Sequence, residues 1–378
     1  MTFLSKAILP KGFKASGVSA GIKRSGKPDL ALFYSEIAAK ATCVFTSNKI
    51  KAAPLKLDIR LLKANKPFRA IIVNSGNANC FTGAAGLKDA SAVAGYLAKE
   101  LKIKPASILV NSTGIIGKRL AVDKIRSSVP KLVKSLSKNG IAQAKKAILT
   151  TDTFTKEAAA RFSIGNKIVT IAGVAKGAGM ISPDMATLLV FILTDADISQ
   201  GALKSALKES VNNSFNLITV DGCMSTNDSV MLLANGAAAN AAITGGKDLA
   251  IFARALNSVC LGLAKMVVKD GEGATKFIEI TVDKAKNENE AKKAALAVAN
   301  SNLFKTAVYG ENPNFGRIAA AIGASGIDVS EEGLKIKVSP LTKKEIKVNC
   351  VINKGKAKAT VYTTDLTPEY IKINAEYN

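Results

Sequence analysis

Hydrophobic and polar positions follow two periods along this chain. Runs rich in β-branched and aliphatic residues predict strands at 30–35, 42–46, 70–74, 107–110, 168–172, 187–193, 277–282, 334–338, 346–352 and 358–362. Apolar residues at helical spacing predict helices at 87–101, 142–149, 200–211, 248–268 and 290–299. In 248–268, Leu249, Phe252, Leu256, Cys260, Leu263 and Val267 share one stripe. Ser199 stands where a hydroxyl can cap the helix that follows it. The interleaving of the two periods gives a mixed α/β class. The final stretch reads as strands without long helices between them, which predicts much antiparallel sheet. No repeat, low-complexity linker or composition step marks a boundary, and the charge-rich 283–293 reads as surface.

With 378 residues and 48% hydrophobic content the chain can bury a sizeable core. Histidine is absent, which removes every Ser-His or Cys-His pair and every His-bearing metal site. Fifty-three Lys+Arg against 29 Asp+Glu give a net charge of +24. Such a field attracts polyanions. Sequence-reading of nucleic acid leans on arginine forks, however, and here arginine is scarce while the lysines are scattered. The charge therefore reads as a solvated lysine-rich surface, with no nucleic-acid partner. Cys43, Cys80, Cys223, Cys260 and Cys350 lie far apart, with neither CxxC nor metal-type spacing. They read as reduced, buried thiols. The N-terminal stretch has no signal-type apolar region, and the apolar run near 185–193 is too short to span a membrane. A cytoplasmic protein without a membrane partner is expected.

The most informative segment is KGAGMISPDMATLLVF at 176–191. Gly177 and Gly179 permit tight backbone, Ser182-Pro183-Asp184 is a turn signal, and Thr187 heads an apolar strand. One reading of Thr187 is a β-branched residue starting a strand. The other is chemical. Without histidine, a hydroxyl nucleophile needs another base, and cutting the chain between Ala186 and Thr187 supplies one: the new α-amino group of Thr187. An α-amine has an unperturbed pKa of about 7.7–8, so a useful fraction is neutral near physiological pH.

Donors for an oxyanion are offered by Asn111-Ser-Thr-Gly-Ile-Ile-Gly117, read as a loop after the apolar run 108–110. An ordinary glycine turn is the alternative. The junction Val73-Asn-Ser-Gly-Asn-Ala-Asn79 is similar. Glu272 sits between Gly271 and Gly273 just past the long helix, where the dipole disfavours an anion. It reads either as an exposed loop residue or as a ligand for a cation. Polar loops at 220–222 and 225–228 follow no simple template, and Arg317 positions either its own loop or a ligand carboxylate.

Together these stretches resemble one family from end to end: glutamate N-acetyltransferase, also called ornithine acetyltransferase, of arginine biosynthesis. The match runs from Gly12-Phe13 and Ala20-Gly-Ile-Lys23 through VNSGNAN, STGIIG, TTDT, KGAGMISPDMATLL, VDG, STND, GEGA and NPNFGR to Ile373-Asn-Ala-Glu-Tyr377. The resemblance implies a layered α/β sandwich of mixed sheets and helices, of the self-cleaving, Ntn-hydrolase-like type. It implies scission into an α region, 1–186, carrying the oxyanion loop, and a β region, 187–378, starting at the nucleophile with a strand-rich end. It implies a multifunctional acyltransferase that moves an acetyl group from N2-acetyl-L-ornithine to L-glutamate through an acetyl-threonine. No metal or organic cofactor is implied, and acetyl-CoA stays open as a second donor. Carried over by position, Thr187 is the nucleophile and Thr113 and Gly114 form the oxyanion hole. Thr150, Lys176, Thr187, Glu272 and Asn374 line the substrate site, with Lys176 toward the α-carboxylate and Glu272 toward the ornithine cation. Two α and two β chains are implied as a heterotetramer. Asp184 stands where relatives more often have Asn, and the sequence ends at Asn378, short of a hydroxyl residue that follows in many of them. A related self-cleaving amidase or aminopeptidase, passing its acyl group to water, is the alternative.

Overall fold

The computed structural model describes residues 1–4, 6–182 and 188–376. The chain folds into two units. The first comprises Met1–Gly177, Asp184–Ser214 and Met224–Leu263, and the second Ala178–Pro183, Phe215–Cys223 and Ala264–Asn378.

In the first unit the strands are β1 (Thr2–Leu4), β2 (Phe13–Val18), β3 (Leu30–Phe45), β4 (Phe68–Asn77), β5 (Ile108–Ile115), β6 (Lys156–Ile164), β7 (Lys167–Lys176), β8 (Leu189–Thr194) and β9 (Ser229–Ala234). Among the described residues they form one sheet in the order β1-β6-β7-β8-β9-β3-β4-β5, with β2 on the first half of β3. The β4–β5 and β8–β9 pairs are parallel and the rest antiparallel. The period of two decides what each face buries. Leu30, Leu32, Ala70, Ile72, Ile108 and Val110 face one core, and Ala31, Phe33, Ile71, Val73 and Leu109 face the other. The first face is covered by α2 (Gly83–Leu101) and α3 (Val122–Lys134), the second by α4 (Ile141–Ala147). Helices α1 (Ala53–Lys63) and α5 (Gln200–Asn212) also belong to this unit, and Ser199 caps α5 by accepting from the Ala202 amide.

Helix α6 (Gly246–Lys269) carries the predicted stripe, with Phe252, Leu256, Cys260, Leu263 and Val267 all buried and Leu249 half-buried. At a mean hydropathy of 1.6 it is long and apolar enough to cross a membrane by length and composition, and half of that window is buried inside the protein. Among the described residues this is the one helix with the length of a span.

The second unit contains β10 (Phe277–Ala285), β11 (Lys335–Val338), β12 (Glu345–Val351) and β13 (Ala357–Thr364), ordered β11-β12-β10-β13. Its core joins Ile278, Ile280 and Val282 of β10 to α7 (Glu288–Ala299), α8 (Asn302–Tyr309) and α9 (Gly316–Gly323). Helix α10 (Pro368–Ala375) follows β13. Both units are thus layered mixed α/β structures with much antiparallel pairing.

Three differences from the elements expected from sequence have clear causes. The strands expected at 30–35 and 42–46 are one strand, β3, which pairs with β4 on both sides of a bulge between Tyr34 and Ala39 and, from Lys40 on, with β9. Strand β6 is hidden in the sequence by alanines and charges that favour helix. It forms because Gly165-Asn166 closes a two-residue hairpin onto β7, with Gly165 at φ +56°. Helix α3 contains Pro130, which reads as a breaker, yet burial of Ile125, Val129 and Leu132 outweighs the lost hydrogen bond.

Candidate active site

Strand β5 does not stop at Val110. It runs on through Asn111-Ser-Thr-Gly to Ile115, pairing Ser75 with Thr113 and Gly76 with Gly114. The expected loops at 111–117 and 73–79 are therefore partly strand. The ladder is irregular here: Asn77 faces both Thr113 and Ile115. Such a bulge interrupts regular pairing and can turn an N–H out of the ladder. Gly114 has φ +130°, and a Cβ on it would lie 2.4 Å from the Gly76 carbonyl carbon and 2.5 Å from the Asn77 nitrogen. Only glycine allows the two backbones this close.

Buried side chains fix the same segment. Asn227 donates from Nδ2 to the carbonyls of Ala78 and Ser112, both at 2.7 Å. The Ser112 hydroxyl donates to Asn74 Oδ1 at 2.6 Å, and Asn111 Nδ2 donates to the Ser229 hydroxyl. On α1, buried Asp58 accepts from the Val110 amide at 3.0 Å, and burial holds its carboxyl well above the usual range.

Lys176, Leu189 and Ser229 form one row across β7, β8 and β9. Leu188, immediately after Thr187, donates its amide to Asp228 Oδ1 at 2.8 Å and accepts from the Ser229 amide at 3.2 Å. Burial pushes the Asp228 carboxyl well above its ordinary value, against the Leu188 amide and the Lys176 charge. Thr187 and Ala186, the proposed nucleophile and cleavage pair, lie outside the described residues.

At the end of β7, Asp152 links Thr150 to Lys176. It accepts from the Thr150 amide at 3.0 Å, from the Gly177 amide at 2.7 Å and from Lys156 Nζ at 2.6 Å. Burial pushes its carboxyl up, but Lys176 and Lys156 outweigh burial and hold it at about 2. Lys176 is itself only 3% exposed. Nearby Lys23 is brought down to about 8 by burial, with Asp29 and Asp152 opposing. The unit thus holds a buried ammonium, Lys176, at a strand end, suited to a carboxylate ligand.

In the second unit the Glu272 carboxylate rests on Gly179: a Cβ there would lie 2.1 Å from Glu272 Oε2. The Glu272 amide donates to the Ala178 carbonyl at 3.0 Å, and Asn374 of α10 donates to Glu272 Oε2 at 2.9 Å. Two candidate substrate residues 102 positions apart in sequence are thereby joined. A half-buried carboxylate held this way can receive a cation.

Several groups around these candidates do not stand out in the sequence. Asp152 lies within TTDT, and Asp221, Asn227 and Asp228 lie within the polar loops that follow no template. An acid or amide beside a glycine or threonine at a strand end is the signal available. Arg317 positions its surroundings, donating to the Leu303 carbonyl and the Thr306 hydroxyl. The cysteines are free. Cys80, Cys260 and Cys350 are buried as expected, whereas Cys43 is half-buried and Cys223 is exposed, standing on the loop after Val220-Asp-Gly. No three Cys, Asp or Glu side chains gather as a metal-binding group among the described residues.

The ArgJ family profile matches residues 14–378. The arginine biosynthesis bifunctional protein ArgJ of Caldanaerobacter subterraneus subsp. tengcongensis is 45% identical, over 98% of this chain and 98% of its own. That of Geobacter sulfurreducens is 44% identical, over 97% of this chain and 99% of its own. A crystal structure of the Bacillus halodurans protein of the same name is 38% identical, with a TM-score of 0.47, covering 49% of this chain and 97% of that one.

Proposed function

The chain belongs to the ArgJ family, and on that premise we propose that it is a self-processing acetyltransferase of arginine biosynthesis, moving the acetyl group of N2-acetyl-L-ornithine to L-glutamate. The observation that carries this reading is the family match over 14–378, in a chain without histidine.

Processing comes first. Thr187 Oγ attacks the Ala186 carbonyl carbon, the peptide C–N bond breaks, and an ester joins the two parts. Water hydrolyses the ester, leaving a carboxylate on Ala186 and a free α-amine on Thr187. The segments 1–186 and 187–378 are then separate chains that stay associated, in two copies each.

In turnover the Thr187 amine takes the proton from Oγ as Oγ attacks the acetyl carbonyl. Thr113 and Gly114 donors hold the oxyanion. The tetrahedral species collapses as the Thr187 ammonium returns its proton to the departing α-nitrogen of ornithine. The α-amine of glutamate then attacks the acetyl-threonine, and the same steps run in reverse. Lys176 meets the α-carboxylate and Glu272 the side-chain ammonium, while Thr150 and Asn374 contribute hydrogen bonds. The Gly76–Gly114 approach and the Asn227 clamp support a preorganised donor pair, the arrangement on which oxyanion stabilisation depends. The relatives' name, bifunctional, supports a second activity, which we take to be acetylation of glutamate from acetyl-CoA.

The test is to incubate the purified protein with N2-acetyl-L-ornithine and L-glutamate. N-acetylglutamate and ornithine should form in equal amounts. Release of acetate outrunning transfer would contradict the assignment in favour of an amidase or aminopeptidase.

A further inference from the structure

Asp221 is engaged on every side by donors. Its Oδ2 accepts from the Met180 amide at 2.6 Å and the Tyr370 hydroxyl at 3.2 Å, and its Oδ1 from the amides of Ile181 and Cys223 at 2.9 and 3.1 Å. One carboxylate thus ties together the loop 178–181, the turn at 221–223 and helix α10. Met180 is held at φ +57°, a left-handed backbone that a non-glycine residue keeps only when its surroundings enforce it. The loop and the helix both hold Glu272: Gly179 seats its carboxylate, the Ala178 carbonyl takes its amide, and Asn374 of α10 donates to its Oε2.

We propose that Asp221 is a positioning residue that sets the Glu272 carboxylate through Gly179 and α10, and thereby determines the preference for donors with a cationic side chain. This rests on the proposed function, in which Glu272 receives the ornithine ammonium. All four contacts to Asp221 come from N–H or O–H groups, so the carboxylate is the group that matches them. An amide in its place must turn its NH2 toward at least one backbone N–H, whichever way it rotates. Gly179 has no room for a methyl group beside the carboxylate. Because the obstructing atoms are the end of a flexible side chain, a methyl there displaces Glu272 rather than the fold.

The experiment compares kcat/KM for N2-acetyl-L-ornithine with kcat/KM for N2-acetyl-L-norvaline, which has the same three-carbon side chain but lacks the terminal ammonium. In the native protein the ratio should favour acetylornithine. In Asp221→Asn it should fall about tenfold, the loss expected when a charge-assisted contact is weakened. Gly179→Ala should lower the same ratio, and it serves if Asp221→Asn gives no folded protein. A merely structural role would depress both donors in proportion and leave the ratio unchanged in both variants, overturning the proposal. A native protein that turns over acetylornithine no better than acetylnorvaline would overturn the Glu272 assignment, and this inference with it.

Discussion

Asp152 and Lys156 form an ion pair at 2.6 Å with both side chains wholly excluded from solvent. A buried charge left alone costs far more than a surface pair gains. Asp152→Asn should therefore destabilise the protein by about 3–5 kcal/mol near neutral pH, read by urea unfolding. The carboxylate's folded value, about 2, lies below its ordinary 3.8. Its stabilising contribution is thus complete above about pH 4 and lost as pH falls through 2, on the order of 2 kcal/mol. The difference between native and variant should narrow across that window. A difference that does not change with pH would contradict the charge assignment.

Asn227 offers a second test, because one side-chain amide satisfies two backbone carbonyls beside the proposed oxyanion segment. Asn227→Ala leaves both the Ala78 and the Ser112 oxygens without this donor, at about 1–3 kcal/mol each. Turnover should fall along with thermal stability. Full activity in the variant would show that the donor pair does not depend on this clamp.

Strands such as β4, β7, β10, β12 and β13, the long helix and their apolar faces are legible from periodicity, because burial on alternating positions leaves its mark on the chain itself, whereas β1, β2, β6 and β9 are not among the strands expected. Ser199 is legible as a cap for the same local reason. Asp221, Asn227 and Asp228 are not, since their partners Tyr370, Ala78 and Leu188 are remote in sequence. The extension of β5 through Thr113 and Gly114 is hidden too. Asn, Ser and Gly usually end strands, and only the close approach of Gly76 explains why these continue. The candidate residues themselves come from the family resemblance. Spacing alone leaves Thr187, Thr113 and Glu272 open to ordinary structural readings.

Gly114→Ala probes that close approach. A methyl group there would press on backbone atoms of Gly76 and Asn77, which cannot swing aside as a side chain can. Loss of one oxyanion donor typically costs about 10²–10³ in rate. The variant should lose acetyl transfer to that extent and process slowly, as read by steady-state kinetics and a denaturing gel. Native rates would remove Gly114 from the oxyanion site.

Glu272→Gln keeps the shape and removes the charge. The KM for acetylornithine should rise at least tenfold, from the loss of one charge-assisted contact. The rate at which acetyl-enzyme hands its group to glutamate should change much less. An unchanged KM would refute the cation-binding role.

The most direct measurement is intact mass with N-terminal sequencing of the purified native protein and of Thr187→Ala. The account predicts two native fragments, of 186 and 192 residues, the second beginning at Thr187, and a single uncut, inactive Thr187→Ala chain. A native protein that remains one chain yet transfers acetyl groups, or a Thr187→Ala variant that does so, would contradict it.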